Sequence, residues 1–231
     1  MKISVLMPTW NRGHCIRGAI QSILDQTYSN WELVIIDDGS VDDTEQAVKW
    51  FKDKRIRYFK TEHQGITKAL NFGNSQCRGE IIVKQDSDDA SLPNRLEVIA
   101  KNMKTDLFYH SYYHVFLGPN DTVCRKYRKA LPIEEKRLLK EHYVSGVFAY
   151  TKKFSQEVPY RDLVCLDDWM LILDAVFKKK SIGFIDEGLY EYLLHKDSNS
   201  LISKNTGAYQ SDTKIVKQIL KDEYGKNFKY T

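Results

Sequence analysis

Ile81-Ile82-Val83-Lys84-Gln85-Asp86-Ser87-Asp88-Asp89 is a β-branched apolar run that empties directly into three carboxylates within four positions. Its start reads as a buried strand. Three like charges so close together repel, so a partly buried cluster of this kind needs a cation among them. A divalent metal suits the place, because hard oxygen ligands favour Mg²⁺ or Mn²⁺ and leave coordination positions for phosphate oxygens. The alternative is a solvated acidic loop that does no more than cap the following helix.

Outward from this run, the first hundred residues alternate between two periodicities. Ile3–Met7, Leu33–Asp37, Ile56–Phe59 and Ile81–Gln85 are short apolar or alternating runs suited to strands. Between them, Ile16, Ala19, Ile20, Ile23 and Leu24 recur at helical spacing, Ser40 is placed to cap a helix reaching about Lys52, and a third helix is expected over Thr67–Ser75. Strand–helix–strand alternation implies an α/β fold with a mostly parallel central sheet flanked by helices. Ligands of such sheets bind beyond the carboxyl ends of the strands. The polar residues there are Pro8-Thr9-Trp10-Asn11-Arg12, Asp37-Asp38-Gly39-Ser40 and Asp86-Ser87-Asp88-Asp89, three clusters converging on one rim.

The second half is less regular. Leu107–Phe116, Ile182–Ile185 and Leu189–Leu194 have strand composition, whereas Pro132–Glu141, Asp167–Lys179 and Tyr209–Leu220 read as helices. No internal repeat, low-complexity tract or Pro/Gly linker marks a boundary, so residues 1–231 are expected to form a single domain, with 1–105 as one half and 106–231, ending in the terminal helix, as the other.

The composition is that of a globular protein, with 42% hydrophobic residues over 231 positions and no apolar run approaching the roughly 18 residues of a membrane span. Met1-Lys2 leads straight into a strand pattern without a secretory leader, so a cytoplasmic location is expected. Cys15, Cys77, Cys124 and Cys165 stand at wide, unpaired spacings, which argues against a zinc site or a disulfide framework. Basic clusters at Arg125–Lys129, Lys152-Lys153 and Lys178–Lys180 can meet an anionic substrate or membrane face, or can be solvated surfaces; no nucleic-acid motif accompanies them. At most a peripheral contact at the inner face of a membrane is expected, from the terminal helix with Ile215, Ile219 and Leu220 on one side and lysines on others.

In this order, the motifs resemble the family-2 glycosyltransferases, whose members have the GT-A fold. The matching pieces are Val5-Leu6-Met7-Pro8-Thr9-Trp10-Asn11-Arg12, Leu33-Val34-Ile35-Ile36-Asp37-Asp38-Gly39-Ser40, Gly65-Ile66-Thr67-Lys68-Ala69-Leu70-Asn71, Gly79–Asp89 and Pro93-Asn94-Arg95-Leu96. The resemblance is dense from residue 3 to about 100 and patchy afterwards. It implies an inverting, metal-dependent transfer of sugar from a nucleotide-diphosphate donor, with a UDP-sugar expected, to an acceptor hydroxyl on a glycan, a lipid-linked intermediate or a protein. The cofactor it implies is Mn²⁺ or Mg²⁺.

The resemblance also distributes roles. The first loop, with Pro8, Thr9 and Asn11, and the Asp-Asp-Gly-Ser turn, with Asp38, would hold the nucleotide base; a carboxylate can accept the imide N–H of uracil. Asp37 either joins them or closes its strand. Lys68 would offset diphosphate charge or face solvent, and Asn71 would support that region or end its helix. Asp86 is implied in ribose or water-mediated contact and Asp88 in metal ligation, with Asp89 serving either metal or sugar. In Cys165-Leu166-Asp167-Asp168-Trp169 the family usually has Glu-Asp. Its second acid corresponds to the general base, which makes Asp168 the candidate to take the acceptor's proton, against a plain role at the start of its helix. Trp169 would stack on a sugar or pack in the core. Met170 stands where many members carry an acid, which leaves the acceptor open. His195 resembles a C-terminal histidine near the metal or diphosphate, or it is structural.

Two other functions compete. A sugar-nucleotide pyrophosphorylase would show a Gly-rich basic loop after the first strand, where this chain has only Gly13. A binding module that has lost catalysis would be expected to lack some of these carboxylates.

Overall fold

The computed structural model describes residues 1–118, 122–139, 147–194 and 206–225. Four parallel strands, β1 (Ile3–Thr9), β2 (Trp31–Asp37), β3 (Ile56–Lys60) and β4 (Ile81–Lys84), lie in the order β3-β2-β1-β4. Their register sets Thr9 beside Asp37 and Leu6 beside Lys84, so the loops that follow β1, β2 and β4 open on one rim. Alternate residues serve two separate apolar layers. Leu6, Val34, Ile36 and Ile82 pack beneath helix α3 (Ile66–Gln76), while Val5, Met7, Leu33, Ile35 and Val83 pack with α1 (Ile16–Leu24) and α2 (Thr44–Lys49). Both faces being covered explains why these strands read as continuous apolar runs.

The chain continues through β5 (Ala90–Ser91), α4 (Arg95–Asn102), β6 (Leu107–Leu117), β7 (Val123–Arg128), α5 (Glu135–Leu138), β8 (Phe148–Thr151), α6 (Lys152–Glu157), α7 (Asp167–Phe177), β9 (Ile182–Leu193) and α8 (Ala208–Tyr224). The sheet extends as β4-β8-β6-β9-β5, with β8 antiparallel between β4 and β6, and with β7 paired on β6 alone. The result is the expected α/β architecture with a largely parallel centre. Among the described residues no helix is long and apolar enough to cross a membrane.

Local differences from the sequence reading have physical causes. The helix expected from Ser40 starts at Thr44, because the Ser40 hydroxyl accepts from the Asn11 N–H at 2.8 Å and the Ser40 N–H donates to Asp37 at 2.7 Å, which spends the serine inside its turn. The two strands expected near the end of the sheet are one, Ile182–Leu193, with register shifts against β6 around Ser111. Of the helix expected over Pro132–Glu141, Glu135–Leu138 is helical.

Two devices fix the rim. Arg95 is fully buried at the start of α4, and its guanidinium donates to the Lys84 carbonyl at 2.9 Å, Gln85 Oε1 at 3.0 Å, Ser91 Oγ at 2.9 Å and His110 Nε2 at 3.1 Å. It also lies over the Tyr190 ring at 4.6 Å. Since Nε2 of His110 accepts from Arg95, its Nδ1 is the protonated nitrogen and donates to the Ser111 carbonyl at 2.8 Å. Burial, reinforced by the Arg95 charge, lowers this imidazole to about 3. The second device is Asp212 of α8, whose buried Oδ2 accepts from the backbone N–H groups of Val164, Cys165 and Leu166 at 2.9, 2.7 and 3.1 Å. Leu166 is the N-cap of α7 and supplies no capping side chain, so Asp212 caps that turn from another helix.

Asp212→Ala removes the acceptor of three N–H groups, of which that of Leu166 is buried, and the expected loss is about 1–3 kcal/mol in urea unfolding; an unchanged midpoint would contradict the assignment. His110 generates a pH effect whose sign follows from its lowered value: below about 6.5 the unfolded chain takes up a proton that the native state refuses. Relative to His110→Gln, wild-type protein is expected to lose about 2 kcal/mol more stability between pH 7 and pH 5. Parallel pH dependence of the two urea midpoints would show that His110 is not held neutral.

Candidate active site

The first wall of the rim is built by β1, β2 and the loop before α3. Thr9 ends β1; its buried hydroxyl has no hydrogen-bond partner among the described residues, and its carbonyl accepts from the Asp38 N–H at 2.9 Å. Asp37 is wholly enclosed, accepting from Ser40 N–H and from the Tyr58 hydroxyl, so it closes its strand. The carboxylate of Asp38 accepts from the N–H groups of Gln64 and Gly65 at 2.8 Å each, and Nδ1 of His63 lies 2.8 Å from it. Gly39 is required between them: it sits at φ 76°, and a Cβ there would meet the His63 backbone nitrogen at 2.7 Å. His63 in turn stacks on Trp10, centroids 4.4 Å apart, a pairing for which the sequence offered no signal.

The structure therefore brings Thr9 and Asp38 together, as the sequence predicted, with the Asp38 carboxylate already committed to backbone donors. Pro8 lies buried within β1. Asn11 adopts φ 52° and uses its side-chain carbonyl to accept from Val41 N–H at 2.9 Å, tying the two rim loops to each other. Lys68 is exposed on α3. Asn71 clasps Tyr160, donating to its carbonyl at 2.8 Å and accepting from its N–H at 2.9 Å, and so joins α3 to the segment before α7.

The acid loop divides its three carboxylates. Asp86 and Asp88 keep partial exposure, with 29% and 18% of their side chains accessible. Lys84 Nζ lies 3.1 Å from Asp86, and Arg12 Nε lies 3.3 Å from Asp88. Asp89 points inward: Oδ1 accepts from the Leu193 N–H at 2.8 Å, and Oδ2 is buried without a partner among the described residues. Burial and the charges of Asp86 and Asp88 push this carboxyl well above the ordinary range. Asp89 thus fastens the loop to the end of β9, just before His195, which lies outside the described residues. Tyr190, also missed by the sequence reading, accepts from the Asp86 N–H at 3.1 Å through its hydroxyl.

Opposite this loop stands the head of α7. Asp168 Oδ2 is 3.0 Å from Lys84 Nζ, while Oδ1 is buried and has no partner among the described residues. Asp167 is deeper, and burial together with the Asp168 charge raises it to about 8. Trp169 is fully buried and donates from Nε1 to the Leu138 carbonyl at 3.1 Å, so it packs in the core and is not a sugar platform. The sequence reading sets Lys84 inside the strand Ile81–Gln85 without a role of its own; the structure ends β4 at Lys84 and places its ammonium between both acidic elements.

Among the described residues no three His, Cys, Asp or Glu side chains converge to hold an ion unaided. Asp86 and Asp88 nevertheless fit a hard divalent cation that also takes phosphate oxygens, because both are oxygen donors on one short turn with faces left accessible.

The comparisons with known proteins agree with this geometry. The sequence model of Glycosyl transferase family 2 matches residues 4–158. The chain is 35% identical over 141 residues to the Escherichia coli protein UDP-Glc:alpha-D-GlcNAc-diphosphoundecaprenol beta-1,3-glucosyltransferase WfgD, covering 60% of this chain and 55% of that one. It is 34% identical over 118 residues to glycosyltransferase GlyG of Streptococcus pneumoniae, covering 48% and 39%. The chain thus spans little more than half of one curated relative and less of the other. S. aureus TarS in complex with UDP-GlcNAc superposes with a TM-score of 0.73 at 18% identity, over 96% of this chain and 67% of that one. Glucosyl-3-phosphoglycerate synthase of Mycobacterium tuberculosis, in complex with Mn²⁺, UDP and phosphoglyceric acid, gives 0.65 at 19% identity, over 93% and 77%. With its ordered motifs, its sheet and a family match across more than half its length, the chain belongs to glycosyl transferase family 2 and has the GT-A fold.

Proposed function

We propose that this protein transfers a sugar, with inversion, from a nucleotide-diphosphate donor to an acceptor hydroxyl. The observation that carries the reading is the meeting of Asp86 and Asp168 across one buried ammonium, which brings the acid loop and the head of α7 to one place on the rim. The nucleoside of the donor belongs against the wall of Thr9, Trp10 and Asp38, where the unpartnered Thr9 hydroxyl has a hydrogen bond to give. UDP is the favoured nucleotide, because the similar structures include complexes with UDP and UDP-GlcNAc, although another similar structure is a complex with GDP-Man.

Asp88, with Asp86 beside it, would hold Mn²⁺ or Mg²⁺, which when bound neutralises charge on the departing diphosphate. Asp89 would brace that loop from behind. The chain's own part in the chemistry falls to Asp168. Its free Oδ1 accepts the proton of the acceptor hydroxyl as that oxygen forms its bond to the anomeric carbon. The bond from that carbon to the diphosphate oxygen breaks on the opposite face, and its electron pair leaves with the nucleoside diphosphate. Asp167, carrying a proton near neutral pH, is the poorer acceptor. A lipid-linked glycan or surface-polysaccharide precursor is the acceptor class suggested by WfgD's activity as named.

Screening UDP-glucose, UDP-N-acetylglucosamine, UDP-galactose and GDP-mannose for metal-dependent nucleotide release tests the reading without knowledge of the acceptor. One donor is expected to turn over with Mn²⁺ and to stop with EDTA; no release from any of them, or consumption of UTP with pyrophosphate release instead, would count against it. Asp88→Asn is expected to lower turnover at least a hundredfold and to weaken Mn²⁺-dependent UDP binding. For Asp168→Asn, calorimetric UDP binding is expected to stay within threefold while turnover falls about 10²–10⁴-fold, the range of a lost general base. Parallel loss of binding and turnover in Asp168→Asn would assign that carboxylate to structure.

A further inference from the structure

The last residue of β4 is buried, and the three before it are Ile81, Ile82 and Val83. Packing alone would put another apolar side chain there; the chain has Lys84, with 4% of its side chain accessible. A buried ammonium is stable only when it is paired and hydrogen-bonded. Its partners here are Asp86, 3.1 Å away on the same loop, and Asp168, 3.0 Å away from an element 84 positions later. Both belong to the cleft, and neither is needed to pair the strands, whose ladders run through backbone groups.

We infer that Lys84 is a positioning residue for the transfer: its ammonium ties Asp168 to the donor loop and fixes the orientation of its carboxylate. The inference rests on the reading of Asp168 as proton acceptor. The contact is one-sided. Lys84 donates to Oδ2 of Asp168 and leaves Oδ1 without a partner among the described residues. A carboxylate held by one oxygen keeps a defined orientation, and its buried second oxygen keeps an unmet accepting capacity that an acceptor hydroxyl entering the site would fill; proton transfer demands hydrogen-bond reach and therefore a settled rotamer. Lys84 is itself held in place, because its carbonyl accepts from the buried guanidinium of Arg95 at 2.9 Å. The donor loop and the acceptor-side acid are thereby joined through a single side chain, and a displacement of one is carried to the other.

The test uses the full chain with Mn²⁺ and whichever UDP-sugar turns over, with three variants at this position and two backgrounds. Lys84→Met and Lys84→Gln remove the charge; Lys84→Arg keeps it. In both neutral variants kcat for UDP release is expected to fall at least a hundredfold. Donor KM and calorimetric UDP binding are expected to change by no more than about tenfold, well short of the loss in kcat, because Asp88 and the nucleoside wall keep their own partners and only the Asp86 side of the donor loop loses its lysine. Lys84→Arg is expected to stay within about tenfold of wild type. In an Asp168→Asn background, Lys84→Met is expected to cost less than a further threefold, because the group it positions is already gone. Wild-type kcat in either neutral variant overturns the inference, and so does a full hundredfold loss repeated in the Asp168→Asn background. Should Lys84→Met fail to give a cooperative melt, Lys84→Gln, which keeps a hydrogen-bond donor in the same place, decides by the same criteria. Wild-type turnover in Asp168→Asn alone would instead remove the reading on which the inference stands, whatever Lys84 does.

Discussion

Like charge at the end of a buried strand is the constraint around which this molecule is arranged. Asp86 and Asp88 cannot share a tight turn with Asp89, and face Asp167 and Asp168 across a cleft, unless positive charge or protonation intervenes. The chain uses both. Lys84 and Arg12 supply cations to the accessible acids, and the two enclosed acids, Asp89 and Asp167, are driven toward their neutral forms. Breaking such a pairing by removing one partner costs on the order of 3–5 kcal/mol, because the other charge stays buried. That cost keeps the acid loop and the head of α7 assembled, and under the proposed function the exposed faces of Asp86 and Asp88 would meet an incoming cation and its diphosphate.

The rest of the fold delivers these groups to one place. Parallel register brings the ends of β1, β2 and β4 to one rim. Each wall is then stiffened from behind by a buried polar group. Asp38 draws the loop before α3 against β2, Arg95 with Tyr190 grips the end of β4, and Asp212 caps the turn that launches α7. Buried polar networks of this sort are stable only when their members are satisfied. Of the eight buried side-chain atoms without a partner among the described residues, four belong to Thr9, Asp89, Asp167 and Asp168, on the rim or in its lining. Unmet hydrogen-bonding capacity concentrated there is what a ligand site provides.

What could be read beforehand follows from the range of each signal. Strands buried on both faces announce themselves as Ile/Val/Leu runs, so β1, β2 and β4 and the polar clusters behind them were legible. The short helix α2 began later than expected because Ser40 is drawn into bonds with Asn11 and Asp37, and the Asn11 partner comes from 29 positions away. Lys84 was in plain view yet silent, since its meaning depends on Asp168 arriving from 84 positions downstream. Asp212 and His63 were hidden for the same reason. Trp169 could have been placed: Trp169-Met170-Leu171-Ile172-Leu173 is apolar all round, the mark of a helix with no solvent face, and the indole is indeed enclosed. Membership of a fold family does not carry donor and acceptor identity with it, so those must come from the cleft itself.

Crystals grown with UDP and Mn²⁺, measured at a wavelength where manganese scatters anomalously, test the central claim most directly. The account predicts one anomalous peak against the carboxylates of Asp88 and Asp86, uridine along Thr9 and Asp38, and the Asp168 carboxylate still joined to Lys84 with its other oxygen facing the open side of the diphosphate. An ion and nucleotide bound away from this rim, or an Asp168 carboxylate turned out of the cleft while both are in place, would contradict it.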